Sequence, residues 1–437
     1  MDTPKLSSRD VIPGGGSVVL SRRRFAPKGR RPLAPPRLGT ALAKSRKLIA
    51  ASRGSVLMTT EEQKMVFRRI SRRHLLQGVA AIGTAGTMAG LLPGCPAFAA
   101  DTVVGFIYVG SRDDYGYNQA HAQGAAALKG LAGVKVVEEE NVSETDAVEK
   151  TMESMINLDG ATLLFPTSFG YYNPHMLKIA TKYKDIRFEH CGGLWTEKDP
   201  KNAASYFGYI DECQYVAGTV AGHTSKTGKL GFVAAKPIPQ VLRNINAYTL
   251  GAQTANPKIT THVIFTGDWS MPVKEAEAAN SLIDQGVDVI TCHVDGPKTV
   301  VETAARRGIM VTGYHTNQSV LAPQAYLTGA EWNWEALYPK FVKMFMAGQT
   351  IPNFYRGGLK EELVKVSAYG PAVSEAARKQ ANDAKAKLTA GGFAIFKGPI
   401  ADNKGKTVIA AGQAHGQTDP VLESMDYLVE GVVGSTS

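Results

Sequence analysis

The sequence predicts an α/β protein of two doubly wound parallel-sheet lobes joined by crossover hinge segments. Three observations carry this expectation. From residue 101 onward, short apolar runs alternate with amphipathic helical segments, the pattern of a parallel sheet covered on both faces. The series runs once as far as Cys191 and restarts at Leu230. The 338 residues from 100 to 437 also exceed one ordinary core.

Taken in order, 102–109 is an apolar run with β-branched residues and reads as a strand, and 118–131 carries Ala and Leu at helical spacing. Strand 134–137, helix 144–158, strand 161–166, helix 174–183 and strand 186–191 complete the first series. The second consists of strand 230–234, helix 240–254, strand 259–266, helix 272–285, strand 287–293, helix 298–307 and strand 309–314. Crossover segments are expected near 207–228 and 316–332. Residues 333–347 and 374–388 read as helices. Residues 393–399 and 407–410 flank Asp402-Asn403-Lys404-Gly405 and read as a hairpin. Lobe 1 is therefore expected over 101–210 with a C-terminal return over 365–415, and lobe 2 over 229–330 with the helix 333–347. Ligands of such sheets sit beyond the carboxyl ends of the strands, which places the site in the cleft between lobes.

The formal charge of +10 is misleading. Residues 1–57 hold 13 Lys/Arg against Asp2 and Asp10, and 58–99 hold five against Glu61 and Glu62. The remainder carries 31 basic and 35 acidic residues, a net of −4, so no nucleic-acid partner is expected. Residues 1–57, rich in Arg, Pro, Gly and Ser, read as a disordered basic extension or a start-site artefact, with Met58 or Met65 as the alternative start. Within 58–99, Ser71-Arg72-Arg73-His74-Leu75-Leu76 leads an uncharged stretch that ends in Ala97-Phe98-Ala99. This reads as a twin-arginine-type signal peptide with the mature start near Ala100, and so as a periplasmic protein. A retained anchor is the alternative, although the stretch is richer in Gly, Ala and Thr than anchors usually are. Cys95 follows a weak lipoprotein-like box. Cys191, Cys213 and Cys292 allow at most one disulfide.

No G-x-S-x-G, H-E-x-x-H, Walker loop or C-x-x-C pair occurs, and no enzyme activity or cofactor is expected. A metal site at His293, Asp295 and His315 lacks a fourth ligand and a characteristic spacing.

A set of ordered motifs carries a family resemblance. They include Tyr117-Asn118-Gln119 with Gly124, Gly228-Lys229-Leu230-Gly231-Phe232-Val233, and Pro237-Ile238-Pro239 with Asn244. Further on come Thr266-Gly267-Asp268-Trp269, the stretch 284–290, and Phe396-Lys397-Gly398-Pro399 with 402–406. Over most of 101–415 the chain resembles the basic membrane protein family, periplasmic substrate-binding proteins of ABC importers that take purine nucleosides and related bases. Thr167-Ser168-Phe169-Gly170, Tyr206-Phe207-Gly208 and Trp332-Asn333-Trp334 resemble a branch for adenine-like bases. The resemblance implies a type I periplasmic binding protein fold, a purine-like ligand, an ABC permease as partner, and a monomer. A ligand sensor for a membrane receptor and an exported nucleoside hydrolase remain alternatives.

A flat heterocycle calls for aromatic faces and a few polar partners on its edge. Tyr115, Tyr117, Phe169, Trp195, Trp269 and Tyr314 follow strand ends and are candidates for the faces, or else loop plugs. Asn118 matches a family cleft residue and offers donor and acceptor; its alternative role is helix capping. Asp114, Ser168, His293, Asp295 and Asn317 complete the candidate set, with solvated loops as the alternative for the charged ones. His315 stands where the family usually has Asp. An imidazole cannot accept two hydroxyl protons from a ribose diol as a carboxylate does, which favours a base over a nucleoside.

Overall fold

A computed structural model of the chain describes residues 101–436. The expected basic extension, signal peptide and Cys95 lie outside the described residues. The first series runs β1 (Thr102–Ile107), α1 (Tyr117–Ala126), β2 (Val134–Glu139), α2 (Asp146–Ser154), β3 (Leu163–Pro166), α3 (Leu177–Lys182), β4 (Arg187–Cys191) and β5 (Ala203–Gly208). The second runs α4 (Asp211–Thr224), β6 (Lys229–Ala234), α5 (Pro239–Ala255), β7 (Thr260–Phe265), α6 (Pro272–Asp284), β8 (Val289–His293), α7 (Lys298–Arg306), β9 (Met310–His315) and β10 (Tyr326–Trp332). Then follow α8 (Trp334–Met346), β11 (Phe354–Gly357), β12 (Val364–Val366) and α9 (Glu375–Ala390). Five short strands end the chain: β13 (Phe396–Lys397), β14 (Ile400–Ala401), β15 (Thr407–Ile409), β16 (Ala414–His415) and β17 (Val432–Val433).

The two main sheets repeat one topology. Sheet 1 has the order β11-β5-β4-β3-β1-β2, all parallel. Sheet 2 has the order β12-β10-β9-β8-β6-β7-β17, parallel except for β12. The inner strands explain the apolar runs. Every residue of β3 and β8 is buried, because helices cover both faces. In each sheet the order reverses beside the first strand of the series, and the crevice opens there.

Several elements differ from the sequence reading. Residues 207–228 and 316–332 are not bare connections; they hold α4, β10 and the end of β5. The chain passes between sheets three times, at 208–211, 332–334 and 357–364. The helix over 334–346 packs on α1 in lobe 1, not in lobe 2. Its Tyr338 ring lies 4.7 Å from Phe165 and 5.1 Å from Phe106, and those two rings stack at 4.7 Å. Gly124 makes the room, since a Cβ there would fall 2.6 Å from the Tyr338 ring. Conversely, the 365–415 return belongs to lobe 2. β12 pairs with β10, and α9 lays Ala377, Ala381 and Leu388 against the α4 side. Only β11 returns to sheet 1. The hairpin is also narrower than expected, pairing β14 with β15, while β13 pairs with β16. Pro399 lies between β13 and β14 and has no N–H to extend either ladder.

The glycines in α4 and α5 depress helix propensity but permit a close crossing. A Cβ on Gly218 would lie 2.0 Å from the Tyr248 carbonyl oxygen, and one on Gly251 would lie 2.0 Å from that of Tyr215. Cys191, Cys213 and Cys292 are all free and buried. Among the described residues, no helix is long and apolar enough to cross a membrane.

Gly251→Ala should force the two helices apart and cost about 1–3 kcal/mol. Urea unfolding of the variant beside the parent measures this, and an unchanged midpoint would mean the crossing adapts freely.

Candidate functional site

The carboxyl ends of the two sheets face each other across a narrow cleft. From lobe 1 it is lined by Tyr117 at the start of α1, Ser168 and Phe169 after β3, Cys191 and Gly192 at the end of β4, and Phe207 near the end of β5. From lobe 2 come Gln240 on the first turn of α5, Trp269 after β7, His293 and Asp295 at the end of β8, and His315 at the end of β9.

Main-chain contacts join the lobes at this point. Tyr117 N–H donates to the Asp295 carbonyl at 2.8 Å. A Cβ on Gly116 would lie 1.8 Å from that carbonyl oxygen, so only glycine permits the approach. Tyr115 holds a left-handed φ of 55° and presents its carbonyl to Gln318 Nε2 at 2.7 Å and Thr316 Oγ1 at 3.2 Å.

Most polar groups in the lining are already satisfied. Tyr117 donates its hydroxyl to the Thr167 carbonyl at 2.6 Å, and Ser168 donates its hydroxyl to Glu144 at 2.5 Å. His315 Nδ1 accepts from Trp332 Nε1 at 2.8 Å, and its Nε2–H donates to the Val294 carbonyl at 3.1 Å. Burial, reinforced by His293 and His121, pushes the His315 pKa well down. His293 Nδ1 accepts from Asn244 Nδ2 at 2.9 Å, leaving the ring proton on Nε2, 3.3 Å from Tyr314 Oη. Burial lowers its pKa to about 3, so both imidazoles are neutral. Burial also raises the Cys191 thiol to about 12. It therefore stays protonated and is a poor nucleophile.

Two lining side chains remain uncommitted. Among the described residues, neither the Gln240 carboxamide nor the Asp295 carboxyl has a hydrogen-bond or ion-pair partner. The Asp295 pKa is raised well above the usual carboxylate value, by burial first and then by the charges of Asp114, Glu144, Glu275 and Asp268. The aromatic surface is also only partly committed. Phe169 is 56% exposed, and it flanks Gly192 together with Phe207.

Of the sequence candidates, the structure brings Tyr117, Ser168, Phe169, Trp269, His293 and Asp295 to the cleft. The others fall outside its lining. Asp114 caps α1: Oδ1 accepts from Gly116 N and Gln119 N at 2.8 and 3.0 Å, and Oδ2 accepts from Asn118 N and Nδ2 at 3.0 and 2.8 Å. Asn118 Oδ1 holds Gly110 N at 3.2 Å. Its side chain thus pins the loop after β1 and does not itself cap the helix. Tyr115 packs under Lys298 at 5.6 Å, and Trp195 under Lys201 at 5.2 Å. Tyr314 is fully buried, and Asn317 closes a turn by accepting from Ser319 N at 2.8 Å. The cleft also takes in Cys191, Gly192, Phe207, Gln240 and His315, which were not among the candidates. Phe207 and His315 lay within motifs already singled out; Gln240 gave no signal beyond its place after Pro239.

The family model for PnrA-like ABC transporter substrate-binding proteins matches residues 101–395. A purine-binding protein of Brucella abortus is 35% identical over 349 residues, spanning 79% of this chain and 97% of that one. A Haloferax volcanii protein named as an ABC transporter glucose-binding protein is 30% identical, spanning 75% and 80% of the two chains. A solved ABC solute-binding protein from Aeropyrum pernix superposes with a TM-score of 0.58 at 21% identity, covering 69% of this chain and 93% of that one. That likeness bears on the fold.

Gly116→Ala should block the approach to Asp295 while leaving both cores intact. Calorimetry with the small-molecule solute that the parent binds should show affinity down about tenfold or more, at an unchanged thermal midpoint. Full affinity would show that this contact does not govern closure.

Proposed function

The chain belongs to the PnrA-like family of ABC transporter substrate-binding proteins, and from that premise we propose that it captures a purine-like base or nucleoside between its lobes and delivers it to an inner-membrane permease. The carrying observation is the cleft itself. Phe169 and Phe207 from one lobe and Trp269 from the other line a narrow slot at the strand ends. Aromatic faces suit a flat heterocycle, and stacking is worth about 1–3 kcal/mol per base. The name of the Brucella relative supports a purine. Its match spans nearly the whole of that protein.

In this reading the protein works outside the cytoplasm as a monomer, and its twin-arginine segment exports it. The two lobes close on the ligand because a ligand touching both sheets favours the closed form. Binding rather than catalysis also fits the neutral histidines and the protonated Cys191 thiol.

Calorimetry with adenine, guanine, hypoxanthine, xanthine, adenosine, guanosine and glucose tests the proposal. At least one purine should bind, and Trp269→Ala should weaken it by about 1–3 kcal/mol. Heat from glucose with none from any purine would replace the purine reading by a sugar one.

A further inference from the structure

The supply of free hydrogen-bonding groups in the cleft narrows its ligand further. Tyr117, Ser168 and His315 have spent their O–H and N–H donors on protein partners. The Cys191 thiol is a weak donor at best. His293 is likewise engaged at both ring nitrogens, by Asn244 and Tyr314, so the side chains left wholly uncommitted are the Asp295 carboxyl and the Gln240 carboxamide, both on lobe 2. Lobe 1 contributes mainly rings.

The charges point the same way. Among the described residues, no lysine or arginine lines the cleft. Of the nearest cations, Lys236 is paired with Asp268 at 2.8 Å, and Arg356 stands 5.9 Å from the centre of the Phe207 ring, donating to the carbonyls of Gly193, Ser205 and Tyr355. The charges that act on Asp295 come from Asp114, Glu144, Glu275 and Asp268. Lys236 also lies 5.2 Å from the centre of the Trp269 ring, so the acidic surroundings belong to the Asp295 side of the cleft, where an anion would lose its hydration and meet those carboxyl groups.

We propose that Gln240 and Asp295 are the specificity-determining pair of the cleft, and that they select a neutral or cationic heterocycle bearing N–H donors over an anionic one. This rests on the purine reading above. Asp295 is well placed for the role. Its N–H donates to the Trp269 carbonyl at 2.8 Å and its carbonyl accepts from Tyr117 N, so the main chain fixes the carboxyl's origin while the carboxyl itself stays free. Gln240 supplies a donor and an acceptor from one amide, held on the first turn of a helix that begins at Pro239.

The test is calorimetry on the parent chain, Asp295→Asn and Gln240→Ala with adenine, hypoxanthine, urate and adenosine monophosphate, with thermal midpoints recorded alongside. Adenine offers an amino donor beside a ring acceptor; hypoxanthine reverses that order. The parent should bind a neutral base and give no heat with urate or the monophosphate. Each variant should change the adenine-to-hypoxanthine affinity ratio by about tenfold at a thermal midpoint no lower than the parent's. Binding of either anion as tightly as the neutral base would overturn the proposal. So would variants that weaken both bases by one common factor, the signature of a merely structural role, or that change neither. Those outcomes leave the purine reading standing. Silence from every purine in the parent, with heat from glucose, would remove that reading and this inference together.

Discussion

The structure turns on one main-chain contact, the hydrogen bond from Tyr117 N–H to the Asp295 carbonyl beside Gly116. It joins the loop after the first strand of one sheet to the loop after the second-lobe strand that meets the crevice. A side chain at position 116 would collide with the carbonyl. Bringing the lobes together there sets the width of the slot and orients Asp295 within it. The same stretch is braced from behind, because the Asp114 carboxylate holds three amides at the start of α1. The capping group and the interlobe contact thus depend on each other through two residues of chain.

Desolvation governs the chemistry of the slot. A buried polar group is costly unless it is partnered, and the protein meets this by pairing Tyr117, Ser168, His315 and Asn244 internally. The histidines stay neutral for the same reason. Against that background the unpartnered Asp295 and Gln240 stand out. They lie where the protein leaves hydrogen-bonding capacity to be filled by something else, in a slot lined by no lysine or arginine among the described residues.

The two lobes are the same five-stranded order written twice, β2-β1-β3-β4-β5 and β7-β6-β8-β9-β10. They differ at both edges: β11 adds to the first sheet in parallel and β12 to the second antiparallel, and β17 extends the second sheet beyond β7. Three passages of chain between sheets make this exchange possible. They also explain how α8 buries its aromatic face on lobe 1 although it follows a strand of lobe 2.

The sequence by itself determined the class of fold, the restart of the pattern near Leu230 and the family, because apolar periodicity and ordered local motifs are properties of neighbouring residues. It also picked out Phe169, Trp269, His293 and Asp295, since a loop after a strand end is recognisable from the strand. It missed α4, β5 and β10. Gly lowers helix propensity in α4, and Gly and Ala lower strand propensity in β5 and β10, so packing against partners far along the chain has to stabilise them. Which lobe received α8 and the C-terminal return was decided by a slot at Gly124 and a free strand edge at β10, neither of which a linear pattern contains. The same holds for the site. Asn118 and Asp114 have the right chemistry for a ligand, yet the loop geometry turns them inward to hold α1. Gln240 has no motif at all and becomes a lining residue only because α5 starts at the mouth of the cleft.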